Sequence, residues 1–207
     1  MKRQGFTLWL TGLPSSGKST LAGLLRNELE QHGFPVEVLD GDEVRQRLTK
    51  GLGFTKEDRD ENISRIAYVS KLLTRVGAVA IAAAISPYRE VRSRVRAEIG
   101  NFVEIHVNCS LAVCMKRDVK GMYAKAMRGE IKNFTGISDP YEPPLSPEIM
   151  VNTETESIEE SLNTILARLV ALGYLAPDSL RAAGSEKKDM GAQSEAMLSG
   201  RSPHWAI

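Results

Sequence analysis

Between Phe6 and Leu25 the chain reads FTLWLTGLPSSGKSTLAGLL, and no other stretch limits its fold as tightly. An apolar run from Phe6 to Thr11 reads as a buried β-strand, a loop bounded by Gly12 and Gly17 follows, and a helix begins near Gly17. The spacing Gly12-x-x-x-x-Gly17-Lys18-Ser19 is the phosphate-binding P-loop pattern. Glycine at both ends lets the loop take positive φ and turn successive N–H groups inward around a polyphosphate. The helix that follows adds the positive end of its dipole at the same spot. In this pattern Lys18 reaches the outer phosphates, and the Ser19 hydroxyl ligates the Mg²⁺ that neutralises them.

At 207 residues the chain suits one domain with a tail and can bury a substantial core. A formal net charge of +1 argues against a general nucleic-acid or acidic-membrane surface, while leaving room for a local basic pocket. The longest apolar run, Val76 to Ile85 with Gly77 inside it, is too short to span a bilayer. Neither a nucleic acid nor a membrane is therefore an expected partner. The basic N-terminus and its apolar run imitate a signal peptide, but cleavage there would destroy the P-loop, so the run is read as a strand. Cys109 and Cys114 have no second pair with which to form a zinc site and read as buried strand and helix residues, consistent with a reducing cytoplasm.

The first helix should end near His32-Gly33, and Val36 to Leu39 forms a second strand that runs into Asp40-Gly41-Asp42. A carboxylate at the C-terminal end of a parallel strand lies on the edge where ligands of open α/β sheets bind, which makes Asp42 a candidate for contacting Mg²⁺ or an acceptor hydroxyl. It also reads as the N-cap of a helix starting at Glu43, and the two roles are compatible. Glu57 to Val76 has helical periodicity with Thr55 as N-cap, and puts Arg59 and Asn62 on one face. Ala78 to Ile85 reads as a central parallel strand. Ser86 beyond it either binds substrate or caps a basic helix, whose arginines from Arg89 to Arg96 are expected to be mostly solvated or paired with Glu90 and Glu98. Phe102 to Val107 and Ile149 to Asn152 are the remaining strands, and Ile158 to Leu172 is a closing amphipathic helix. The basic, Gly- and Pro-containing segment from about 116 to 147 reads as a mobile lid over the phosphates or, alternatively, as an ordered surface excursion. Asp118 to Gly121 matches the short D-x-x-G of nucleotide switches, a weak signal discounted without N-K-x-D. Residues 178–207 offer little to bury and are expected to be disordered or loosely docked. Five strand–helix alternations give one three-layer α/β domain, 1–177, with a parallel five-stranded sheet.

Six blocks carry a resemblance: Asp40-Gly41-Asp42-x-x-Arg45; Gly53-Phe54 with Asp58-Arg59-x-Glu61-Asn62-Ile63; Ile85-Ser86-Pro87-Tyr88-Arg89; Arg117-Asp118-x-Lys120-Gly121-x-Tyr123; Ile131 to Ile137; and Pro140-Tyr141-Glu142. In order and spacing they resemble the adenylylsulfate kinases from about residue 5 to 175. The resemblance implies a P-loop NTPase fold with a lid and transfer of the ATP γ-phosphoryl to the 3′-hydroxyl of adenosine 5′-phosphosulfate in sulfate activation. It implies ATP on Gly12, Leu13, Pro14, Ser15, Ser16, Gly17, Lys18, Ser19 and Thr20, with Mg²⁺ on Ser19 and Asp42, and Lys18, Asp42 and Ser86 as the catalytic group. It places the acceptor among Asp42, Arg45, Phe54, Arg59, Asn62, Ile85, Ser86, Pro87, Lys120, Lys132 and Phe134. The arginines would hold the phosphosulfate and the two phenyl rings the adenine. Family analogy further implies a homodimer and a sulfate adenylyltransferase as a partner. Ala84 stands where the family often has Phe, and Met127-Arg128 replaces an expected Arg-x. Two alternatives remain open on the residues alone: another P-loop small-metabolite kinase of gluconate, shikimate or nucleotide type, and a nucleotide-dependent module without turnover.

Overall fold

The computed structural model describes residues 4–177, so the expected tail at 178–207 lies outside the described residues. The chain divides into two compact units, residues 1–168 and 169–207. In the first, β1 (Phe6–Thr11), β2 (Val36–Asp40), β3 (Val79–Ala83), β4 (Phe102–Asn108) and β5 (Ile149–Asn152) form one sheet in the order β2-β3-β1-β4-β5, with every pairing parallel. Central β1 is buried at all six positions, while the edge strand β2 is only partly covered. This explains why β1 reads as unbroken apolar sequence and β2 does not.

Helices α1 (Lys18–Gln31), α2 (Gly41–Arg47), α3 (Lys56–Arg75), α4 (Arg89–Ile99), α5 (Leu111–Arg117) and α6 (Met122–Met127) belong to this unit, and α7 (Ile158–Ala171) begins in it. The chain moves one way along the sheet from β1 to β2 and back from β2 to β3. Right-handed crossovers therefore put α1 and α3 on opposite faces. Trp9, Ala82 and Phe102 share a core with Ile63, Ile66 and Ala67 of α3 and Val91 and Val95 of α4. Strand alternation sends the fully buried Leu8 and Leu10 to the other face.

Several local expectations change. Helix α2 starts at Gly41, not Glu43, and its N-cap is Asp40, whose side chain accepts from Asp42 N. Asp42 is thus not the cap. Ser86 does not cap α4 either, because the N-cap position is Tyr88 with no side-chain bond. The arginines of α4 are not all solvated: Arg92 is buried against Glu104, and Arg96 pairs with Glu104 and Glu148 rather than with Glu90 or Glu98. Both partners come from distant sequence, so no local charge pattern could reveal them. Cys109 lies just past the end of β4, buried like Cys114, and both thiols are free. The segment 116–147 is built, not formless: the Asp118 carboxylate accepts from Tyr123 N and Ala124 N and so starts α6, which gives the D-x-x-G match a structural role.

Candidate active site

The loop from Gly12 to Gly17 leaves the carboxyl end of β1 against β4. A Cβ at Gly12 would lie 2.5 Å from Val107 O and 2.8 Å from Ser16 Oγ, so only glycine fits there. Gly17, with φ 102, is the N-cap of α1. Two side chains from later in the chain brace the loop: Tyr123 donates to Pro14 O at 3.1 Å and Thr153 to Ser16 O at 2.8 Å. Lys18 is buried, and its Nζ donates to Gly12 O at 2.9 Å and Leu13 O at 2.7 Å. Burial pulls its pKa down to about 8, against the raising influence of Cys114 and Asp40.

Ser19 Oγ donates to Asp40 Oδ2 at 2.5 Å, while Asp40 Oδ1 accepts from Asp42 N at 2.9 Å. The Asp42 carboxylate instead pairs with Lys120, which reaches over from the segment after α5. Asp40 thus stands nearer the P-loop hydroxyl than Asp42 does. The resemblance assigns Asp40 no task, and its place as the last residue of β2 is the signal that points to it. No group of three or more His, Cys, Asp or Glu suited to a metal occurs among the described residues. One hydroxyl beside one or two carboxylates nevertheless fits Mg²⁺, a hard ion that keeps several waters and takes its other oxygens from phosphates.

Opposite the loop lies a basic and aromatic wall. Arg45 donates to Gly53 O at 3.0 Å and stacks over the Phe54 ring at 4.5 Å. Burial, and then the charge of Arg59, lowers its pKa. Arg59 is buried and holds the lid segment, donating to Phe54 O at 3.0 Å and to Thr135 Oγ1 and Asn133 O. Asn62, also buried, accepts from Thr49 Oγ1 at 2.7 Å. Phe134 is buried edge-on against Tyr123, with ring centroids 5.0 Å apart, whereas the Phe54 ring is half-exposed.

The turn after β3 closes this wall. Ser86 is 2% exposed with φ 41; its Oγ accepts from Trp9 Nε1 at 3.0 Å and donates to Ala84 O at 3.3 Å. Ile85 O accepts from Thr11 Oγ1 at 2.7 Å, and Pro87 O from Glu142 N at 2.9 Å. Further along the lid, Gly136 meets the P-loop: a Cβ there would be 3.0 Å from Leu13 Cδ2 and 3.2 Å from Leu111 Cδ1.

One cavity of about 650 Å³ joins the two walls. It is lined by Pro14, Ser15, Gly17, Lys18, Ser19 and Thr20 on one side. On the other it is lined by Asp42, Arg45, Phe54, Arg59, Asn62, Ile85, Ser86, Pro87, Lys120 and Phe134. Gly12, Leu13 and Ser16 act from behind this lining, and Lys132 is exposed outside it. Asp40, Arg117 and Thr153 line it as well, without having been singled out from sequence.

A P-loop at the carboxyl edge of a parallel sheet, opening on a cavity shared with a basic and aromatic wall, is the arrangement of a P-loop kinase. Comparison with known proteins narrows the class. Residues 4–152 match the family model for adenylylsulphate kinase. The chain is 59% identical over 175 residues to the adenylyl-sulfate kinase of Gloeothece citriformis, covering 84% of this chain and 99% of that one. It is also 59% identical to a probable bifunctional SAT/APS kinase of Sorangium cellulosum, where the match covers 83% of this chain and 29% of the relative. The APS kinase of Mycobacterium tuberculosis, solved in complex with AMPPNP and APS, superposes with a TM-score of 0.77 at 40% identity over 81% of this chain and 98% of that one. The chain belongs to the adenylylsulfate kinase family, and it is a phosphotransferase of that family.

Proposed function

We propose that the chain transfers the γ-phosphoryl of ATP to the 3′-hydroxyl of adenosine 5′-phosphosulfate, giving 3′-phosphoadenylyl sulfate and ADP. The observation that carries this reading is the shared cavity, which sets Lys18 and Ser19 on one wall against Arg45, Arg59, Phe54 and Phe134 on the other. A phosphosulfate anhydride carries two negative charges for the arginines, and an adenine gives the rings a flat partner. A sugar acid or shikimate would use neither ring.

Main-chain amides of residues 13–19 hold the triphosphate, and Lys18 turns from Gly12 O and Leu13 O to the phosphates when they arrive. Mg²⁺ would be held by Ser19 with Asp40 or Asp42 and would supply charge neutralisation across the transferred phosphoryl. Asp42 receives the proton of the 3′-hydroxyl as its oxygen bonds to Pγ and the bond from Pγ to the bridging oxygen breaks in line. Lys120, already at Asp42, brings positive charge down with the lid. Ser86 serves the acceptor as a binding group rather than as a phosphorylated intermediate, since its hydroxyl is buried and engaged on both sides. Solution as a homodimer in the cytoplasm, and delivery of substrate by a sulfate adenylyltransferase, complete the reading.

A coupled assay of ADP release decides it. Turnover with adenosine 5′-phosphosulfate and Mg·ATP should exceed that with AMP, shikimate or gluconate by ~100-fold or more. Equal turnover with AMP would show that the arginine wall does not read the sulfate.

A further inference from the structure

Arg92 belongs to none of the groups assigned above, yet it is a buried charge with a hydrogen bond from each of its three guanidinium nitrogens. It lies on α4, is 3% exposed, and uses its whole guanidinium. Nε donates to Glu104 Oε1 at 2.8 Å, Nη1 to Ser86 O at 2.6 Å, and Nη2 to Glu142 O at 2.7 Å. Those three acceptors belong to β4, to the turn after β3 and to the returning arm of the lid. A buried ion pair adds little net stability over an apolar pair, because desolvation offsets its attraction. Stability alone therefore gives a weak reason for Arg92, whereas three fixed directions from one planar group give a strong geometric one.

What it fixes is unusual backbone. Ser86 is a non-glycine residue at φ 41, a conformation that persists only where surrounding contacts over-determine it. Trp9 Nε1 holds its side chain, Thr11 Oγ1 holds the preceding carbonyl, and Arg92 holds its own carbonyl. The lid arm is stitched to the same turn, through Glu142 N to Pro87 O at 2.9 Å and Arg89 N to Glu142 Oε2 at 2.8 Å. We propose that Arg92 is a positioning residue for the acceptor half of the site, locking the Ser86 turn and the root of the lid into one unit. The inference rests on the reading that the Ser86 turn faces adenosine 5′-phosphosulfate. Arg92 touches neither substrate and acts only through Ser86 and Glu142.

Arg92→Lys keeps the charge beside Glu104 but offers one nitrogen in place of three, so it cannot reach the three diverging acceptors. It should raise KM for adenosine 5′-phosphosulfate by ~10-fold while KM for ATP stays within about twofold, measured well below the melting temperature. Equal rises in both constants, or unchanged constants with only a lower Tm, overturn the proposal. If the lysine variant does not fold, Trp9→Phe asks the same question from β1 by removing the donor to Ser86 Oγ while leaving a smaller aromatic ring in its place. A rise of ~3-fold confined to the acceptor KM supports the proposal, and no rise or an equal rise overturns it. Failure of the wild-type chain to phosphorylate adenosine 5′-phosphosulfate would sink the functional reading instead, before either variant is made.

Discussion

The two walls of the cavity are made in opposite ways. The phosphate wall is one short stretch, Pro14 to Thr20 with Ser16 behind the lining, and its geometry is largely local. The acceptor wall is gathered from α2, α3, the turn after β3 and the lid, and side chains that meet across 70 residues or more of sequence hold it, as Arg59 does with Asn133 and Thr135. The first half depends mostly on a few neighbouring positions, with Tyr123 and Thr153 as its distant braces. The second depends on the whole unit folding correctly, so it can be tuned or broken from a distance.

Substitutions that separate the halves test this contrast. Lys18→Ala should lower turnover by at least ~100-fold, a loss of roughly 3 kcal/mol of transition-state stabilisation; near wild-type turnover would remove the phosphate wall from the chemistry. Arg59→Ala should weaken adenosine 5′-phosphosulfate by ~30-fold and ATP by less than about threefold, because the guanidinium serves only the acceptor wall and its lid. Matching losses for both nucleotides would erase the division.

The pH profile probes the phosphate wall alone. In the proposed site the ammonium form of Lys18 binds phosphate, and burial brings its pKa down to about 8, so the free protein loses that charge as pH rises through this value. kcat/KM for ATP should accordingly fall by roughly tenfold per pH unit above it, while kcat holds to higher pH because bound phosphates favour the ammonium. A flat profile to pH 9.5 would contradict the burial argument. Tyr123→Phe removes one brace of the P-loop, and a change of ~3-fold in KM for ATP is expected, about 1 kcal/mol or less. The smallest effect belongs to Lys132→Ala, which should alter KM for the acceptor by less than about twofold, against ~10-fold for Lys120→Ala at the Asp42 contact.

Legibility in the sequence follows the same divide. Strand β1 begins and ends where its apolar run does, and the glycine spacing placed Lys18 and Ser19, because both signals are local. Family resemblance supplied Arg45, Phe54, Arg59 and Phe134, and all four line the cavity. Asp40 escaped because capping and ligation are alike in sequence, and the carboxylate two residues further on is equally suitable. Arg92 escaped for a harder reason: in a helix of alternating charges nothing distinguishes the arginine that faces the sheet until Glu104 and Glu142 are brought to it. Lys132 stands in a well-matched motif yet outside the cavity, since a motif fixes the path of the chain but not the heading of each exposed side chain.

At residue 136 the lid rests on the Leu13 side chain of the P-loop, where a methyl group would press on Leu13 and Leu111 and the backbone, at φ 92, favours glycine. In the proposed reaction that seam would keep bulk solvent from the phosphates. Gly136→Ala would wedge it ajar and let stray water compete with the ribose for the phosphoryl group. The variant's signature would be ADP formed without a matching amount of phosphorylated nucleotide, a leak rather than a stall.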